Sequence, residues 1–177
     1  MTKLSMLSIQ ASKITIEPGS TSPDKLSPAM VAGALAMGKI PESASFFAYA
    51  VLLNQPEMRQ PFIRKALYAL SRIYADKKIK PEPGTITYMV KLAMWELTPE
   101  LSRCPACKGV PDRPNKKLVC SSCGGTGRAK LSSRQIQALT GINRETWRRK
   151  YRGIYHDIVF PWVLSQQDIV VQAVKRG

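Results

Sequence analysis

Cys104-Pro105-Ala106-Cys107 is followed, after the twelve residues Lys108 to Val119, by Cys120-Ser121-Ser122-Cys123, and these are the only four cysteines of the 177-residue chain. A Cys-x-x-Cys turn aims two sulfurs at one point, and two such turns complete a tetrahedral thiolate cage. The loop between them is rich in Gly, Pro, Asn and Lys, so it can reach out and return but buries little of its own. A bound metal then supplies the folding energy that the segment's side chains cannot. Four soft ligands with no open position suit structural zinc rather than a catalytic ion. The competing chemistries are two disulfides, a redox dithiol or an iron–sulfur centre. Disulfides require an oxidising compartment, to which nothing in the chain points. Structural Zn2+ on Cys104, Cys107, Cys120 and Cys123 is the expectation.

Downstream, Ser132-Ser133-Arg134-Gln135-Ile136-Gln137-Ala138-Leu139-Thr140-Gly141-Ile142-Asn143 leads into Arg144-Glu145-Thr146-Trp147-Arg148-Arg149-Lys150-Tyr151-Arg152. This reads as a helix-turn-helix. Ser132 or Ser133 caps a short first helix with Ile136 and Leu139 facing inward. Gly141 supplies the left-handed backbone of the tight turn, Ile142 plugs the elbow, and Asn143 caps the second helix. Trp147, Tyr151, Ile154 and Ile158 recur at steps of four, three and four and form its buried stripe. Glu145, Arg148, Arg149 and Arg152 lie opposite. Arginine pairs bidentately with guanine in the major groove or clamps phosphate, so this face suits DNA. Gln137 departs from the usual pattern, in which the position four before the glycine is alanine. Gly153 weakens the second helix, and Pro161 is expected to stop it near Val159-Phe160 and to begin a final helix carrying Trp162 to Val171.

Upstream, residues 27–102 read as a small helical domain. Ser27-Pro28 starts a first helix through Met30 to Gly38, in which Gly33 between Ala32 and Ala34 allows close packing against a neighbour. Pro41 with Ser43 or Ser45 introduces a second, with Phe46, Phe47, Tyr49 and Leu52. Pro61 opens a third, whose Ile63, Leu67, Leu70, Ile73 and Tyr74 recur at steps of three and four. After the proline-broken segment Lys77 to Gly84, a fourth spans about Thr85 to Leu97. These apolar side chains are core, and no catalytic constellation lies among them. The fold class expected is mainly α. It comprises a mostly flexible segment at 1–26, a helical bundle at 27–102, a zinc finger at 103–128, and a basic helix-turn-helix-like unit with a C-terminal helix at 129–177.

With 44% hydrophobic residues the chain can bury a core, and it carries a net charge of +15 from 27 Lys+Arg against 12 Asp+Glu. From Arg103 to Gly177 there are fifteen basic and four acidic side chains, so most of that excess lies in the C-terminal part. Such a skew points to a polyanion as partner. No run approaches the length of a membrane span, and the N-terminus lacks a signal-peptide layout, so a reducing cytoplasm is expected. His156, the single histidine, follows Tyr155 on a basic helix with no nucleophile or carboxylate pair beside it. It reads as a surface residue, and the chain as no enzyme.

The order of parts resembles the lambda-type Q antitermination proteins of bacteriophages. Three stretches carry the resemblance: Met30-Val31-Ala32-Gly33-Ala34-Leu35-Ala36-Met37-Gly38-Lys39 with Phe46-Phe47-Ala48-Tyr49, the two cysteine pairs with Lys108-Gly109 and Gly124-Gly125-Thr126-Gly127, and Thr146-Trp147 leading to Tyr155. It covers the chain from about Leu26 onward. The resemblance implies a protein that binds a double-stranded DNA element of a phage late promoter in the bacterial cytoplasm. It then loads onto host RNA polymerase paused nearby with its sigma factor and lets it read through pauses and terminators, with the elongation factor NusA assisting. On this reading the four cysteines hold zinc. The DNA contacts, taken mainly from helical phase, fall to Arg134, Asn143, Arg144, Arg148, Arg149 and Arg152, with phosphate help from Lys116, Lys117, Arg128 and Lys130. The first cysteine pair is followed by Lys108-Gly109-Val110 and lacks a second glycine, which affects the loop's shape and not its ligands.

Two other readings use the same residues. A conventional helix-turn-helix repressor or activator with a zinc-stabilised linker shares the DNA face and needs no polymerase. Cys120 to Gly127 also looks like one repeat of the zinc domain of DnaJ-type co-chaperones. Those carry four such repeats and a His-Pro-Asp signature, whereas here there are two cysteine pairs and His156 precedes Asp157.

Overall fold

Ser27 sits in extended backbone and its side chain accepts from the Met30 N–H, which sets the start of helix α1 (Pro28–Ala36). The computed structural model describes residues 26–38, 40–82, 84–98, 102–108, 120–124, 127–129 and 131–176. Lys116, Lys117 and Lys130 and the N-terminal segment 1–25 lie outside them. The chain is mainly α. After α1 come α2 (Glu42–Phe47), α3 (Arg59–Asp76), α4 (Thr85–Leu97), α5 (Ser133–Thr140), α6 (Arg144–Thr146), α7 (Arg152–Ile154) and α8 (Phe160–Arg176). Among the described residues the sole β feature is an isolated antiparallel bridge, Arg103 to Arg128. No helix there is long and apolar enough to cross a membrane.

The chain divides into two compact units, Met1–Lys65 with Leu164–Gly177, and Ala66–Val163. In the first, Val31, Ala44, Ala48 and Val170 form a buried cluster with Leu35, Leu52 and Ile169 packed against it. The far end of the final helix thus packs back onto the N-terminal helices, as expected. Phe47 meets Phe62 edge to face at 5.6 Å. Small residues do the close packing here, but Gly33 is not one of them. A Cβ built on Gly33 meets nothing within 4 Å, so this glycine costs α1 about 1 kcal/mol of propensity with no packing in return. Ala34, Ala44 and Ala48, each no more than 2% exposed, take that role.

The second unit gathers α4, the cysteine hairpin and the helix-turn-helix, a grouping different from the linear segments 27–102 and 129–177. The reason lies in α4, whose apolar face packs against both α5 and the helical run at 144–159. It is the third helix of the helix-turn-helix unit. Gly84, at φ 80°, gives the left-handed turn from which α4 starts.

Three details of the helix-turn-helix and the run that follows it depart from expectation, the first two in the helical run from 144 onward. Two π turns, Trp147–Tyr151 and Tyr155–Val159, interrupt it; in each the closing N–H, of Arg152 or Phe160, bonds five residues back. A π turn holds more residues than an α turn, so the buried stripe advances by four and not by 3.6. Tyr155, 1% exposed, therefore replaces Ile154 after Trp147 and Tyr151, and Val159, fully buried, joins Ile158 in the core. Pro161 does not stop the helix. The π turn before it has already moved the hydrogen-bond ladder out of α register where Pro161 has no N–H to give, and α8 continues through it. Finally, Leu139 is 38% exposed and Thr140 takes the core position. Thr140 can be buried because its hydroxyl donates to the Ile136 carbonyl and accepts from the Ile142 N–H.

Candidate metal centre and nucleic-acid interface

Each Cys-x-x-Cys closes as the same tight turn. The Lys108 N–H bonds the Cys104 carbonyl and the Gly124 N–H bonds the Cys120 carbonyl, both at 2.7 Å. Gly124 stands at φ 63° and Lys108 at φ 52°. The first turn thus places a lysine where the second has glycine, at a cost on the order of 1 kcal/mol. The ends of the hairpin are tied together by Cys104 N–H to Gly127 O at 2.9 Å and Ala129 N–H to Ser102 O at 2.7 Å.

This frame brings all four sulfurs within 4.8 Å of one another. Cys104 and Cys120 Sγ are 3.9 Å apart, and Cys107 and Cys123 Sγ 3.8 Å. A disulfide needs about 2.05 Å. A tetrahedral ion with metal–sulfur bonds of about 2.3 Å requires sulfurs about 3.8 Å apart, so the cage fits a four-coordinate metal. Cys104, Cys107 and Cys123 are buried and Cys120 half-buried. The Gly127 N–H donates to Cys123 Sγ at 3.3 Å, the kind of outer hydrogen bond that steadies a thiolate ligand.

The helix-turn-helix is capped at both starts. Ser132 and Gln135 form a reciprocal capping box on α5. Gly141 ends α5 in the left-handed region at φ 69°, and the Asn143 side chain accepts from the Thr146 N–H at 2.8 Å. The Asn143 oxygen is therefore occupied by the cap, and its NH2 is what remains for a partner.

Arg134, Arg144, Arg148, Arg149 and Arg152 are all exposed. Arg148 pairs with Glu145 at 3.2 Å, and Lys150 is drawn off to Glu82 at 2.5 Å. Arg134, Arg144, Arg149 and Arg152 make no ion pair among the described residues. Arg144, Arg148 and Arg152, spaced by four, line one open groove of about 610 Å³. Arg128, from the base of the cysteine hairpin, lines the same groove. Arg134 and Arg149 lie outside it. Of the expected DNA contacts, the structure thus joins Arg128, Arg144, Arg148 and Arg152 and leaves Arg134, Asn143 and Arg149 apart.

Two groove residues have no part in the sequence reading of the DNA face. His156 is exposed, as expected, but lines the groove, and so does Glu96 near the end of α4. Burial pushes the Glu96 carboxyl above its usual range, while Tyr155 and Arg128 pull it part of the way back. The Tyr155 hydroxyl is buried beside this carboxyl. Its neighbour Glu96 influences it electrostatically, and burial together with that carboxylate pushes the phenol pKa up. The one sequence signal for Glu96 is that it is the only acid in α4, on a helix otherwise mostly apolar.

Compared with protein-family profiles, with curated proteins and with solved structures, the chain finds no significant match to any.

Proposed function

We propose that this chain is a DNA-binding transcription antiterminator of the lambda-type Q class, with structural Zn2+ on its four cysteines. It binds a late-promoter element through the helix-turn-helix. It then loads onto host RNA polymerase paused there with its sigma factor and, assisted by NusA, lets the enzyme pass pauses and terminators. It acts by binding and not by catalysis. The observation that supports this most is the joining of the four-cysteine hairpin and a doubly capped, arginine-faced helix-turn-helix in one compact unit, with Arg128 and three helix arginines on one groove. The all-sulfur donor set, with its four ligand atoms within 4.8 Å of one another, supports zinc as that metal. The basic skew of the C-terminal part supplies the long-range attraction to DNA.

The three-helix arrangement of α4, α5 and the run at 144–159 is also sufficient for a conventional promoter regulator, and that is the second reading. Run-off transcription past a terminator separates the two, using purified protein, host polymerase and the late promoter of the encoding genome. Readthrough lost on scrambling the promoter element, or with Cys120→Ser, is the expected result. Altered initiation with unchanged termination would establish the conventional regulator instead.

A further inference from the structure

The groove between the cysteine hairpin and the basic helix is concave, and this decides what it can hold. Reading bases requires side chains that project into the major groove, whereas a hollow surface accepts a convex one. On duplex DNA the convex feature is the sugar–phosphate ridge. Resting on the DNA-binding reading above, we infer that this groove is a phosphate clamp. Arg128 grips the DNA backbone from the hairpin side and Arg144, Arg148 and Arg152 from the helix side, while base reading falls to residues outside it, Arg149 foremost.

Four observations carry this. The arginines come from two separate elements that line one hollow, and those of the helix, strung along about 12 Å of its axis, suit the successive phosphates of a backbone. Arg144 and Arg152 make no ion pair among the described residues, so their charge is available. The N-terminal turn of α5 forms part of the wall through Ser133, and that end of a helix favours an anion. Arg149 is exposed but absent from the groove, one residue on from Arg148 and so turned about the helix axis from the clamp. Glu96 is the one acid in this wall. A phosphate seated over it would feel its negative charge, so the carboxylate tempers the clamp.

Salt-dependent titration of metal-loaded full-length protein onto two labelled duplexes, the late-promoter element and a scrambled copy, tests the assignment. Arg128→Gln and Arg152→Gln are each expected to weaken both duplexes by the same factor, about 5- to 10-fold. Each is also expected to reduce the slope of log affinity against log salt by about 1. Arg149→Gln is expected to lower the ratio between the two duplexes, and Glu96→Gln to tighten binding to both severalfold. Metal content and circular dichroism establish that each variant is folded, and Arg152→Gln leaves the hairpin untouched. An unchanged slope in both clamp variants, a loss confined to the promoter duplex, or no tightening by Glu96→Gln would each overturn the clamp while leaving DNA binding standing. A wild-type protein that binds neither duplex would instead overturn the DNA-binding reading itself.

Discussion

Glu96 shows how one side chain couples the core to the surface. It extends from a helix whose Leu92, Ala93 and Leu97 are at most 1% exposed, and burial raises its pKa. A carboxyl raised in the folded state binds more protons there than in the unfolded chain. The stability it contributes is therefore fully present below the unfolded value, about 4.3, and is lost as pH rises through the higher folded value. Glu96→Gln removes this component. Urea unfolding of both proteins across that window is expected to show the variant gaining on the wild type as pH rises. Thiolate protonation and metal loss affect both proteins alike, so the difference between them isolates Glu96. A difference that does not change with pH would contradict the account. Beyond its being the lone acid of α4, the sequence around Glu96 does not signal this, because Tyr155 and Arg128, which act on it, come from distant segments.

At the level of elements, Arg128 brings the base of the hairpin to the groove lined by the second helix of the helix-turn-helix. This residue sits in the Arg103 bridge at the hairpin base and lines the groove. The frame that holds it is short, and a metal on the four cysteines would close its far end. Stripping the metal with a chelator is therefore expected to lower DNA affinity about as much as Arg128→Gln does, and to add little in that variant, since both remove the same contact. Anisotropy titrations of the four combinations measure this. Fully additive losses would mean that the metal acts elsewhere.

The elements differ in how legible they are. Spacing alone locates the ligands, because Cys-x-x-Cys geometry is local. The caps at Ser27, Ser132 and Asn143 and the turn at Gly141 are equally readable, since each hydrogen bond closes within three or four residues. Period reasoning misplaces the buried stripe of the second helix at Ile154, because it assumes α geometry and the two π turns break it. It misreads Pro161 for the same reason. Thr140 escapes notice because a buried hydroxyl is tolerable only once its local partners are known. The expected contacts at Lys116, Lys117 and Lys130 fall outside the described residues.

For the whole molecule, the grouping of α4 with the hairpin and the helix-turn-helix depends on contacts between residues far apart in sequence, which linear composition does not reveal. It is also what gives the candidate interface a third side. Thirteen of the fifteen basic residues from Arg103 onward belong to that unit, and four of them, Arg128, Arg144, Arg148 and Arg152, line one groove. Sequence-specific recognition of DNA by this unit is the claim on which antitermination rests. Its most direct test is an anisotropy titration of the metal-loaded full-length chain onto its late-promoter duplex against a scrambled duplex of equal composition, at physiological salt. The account predicts binding about a thousandfold or more tighter to the promoter duplex. Equal affinity for the two would contradict it.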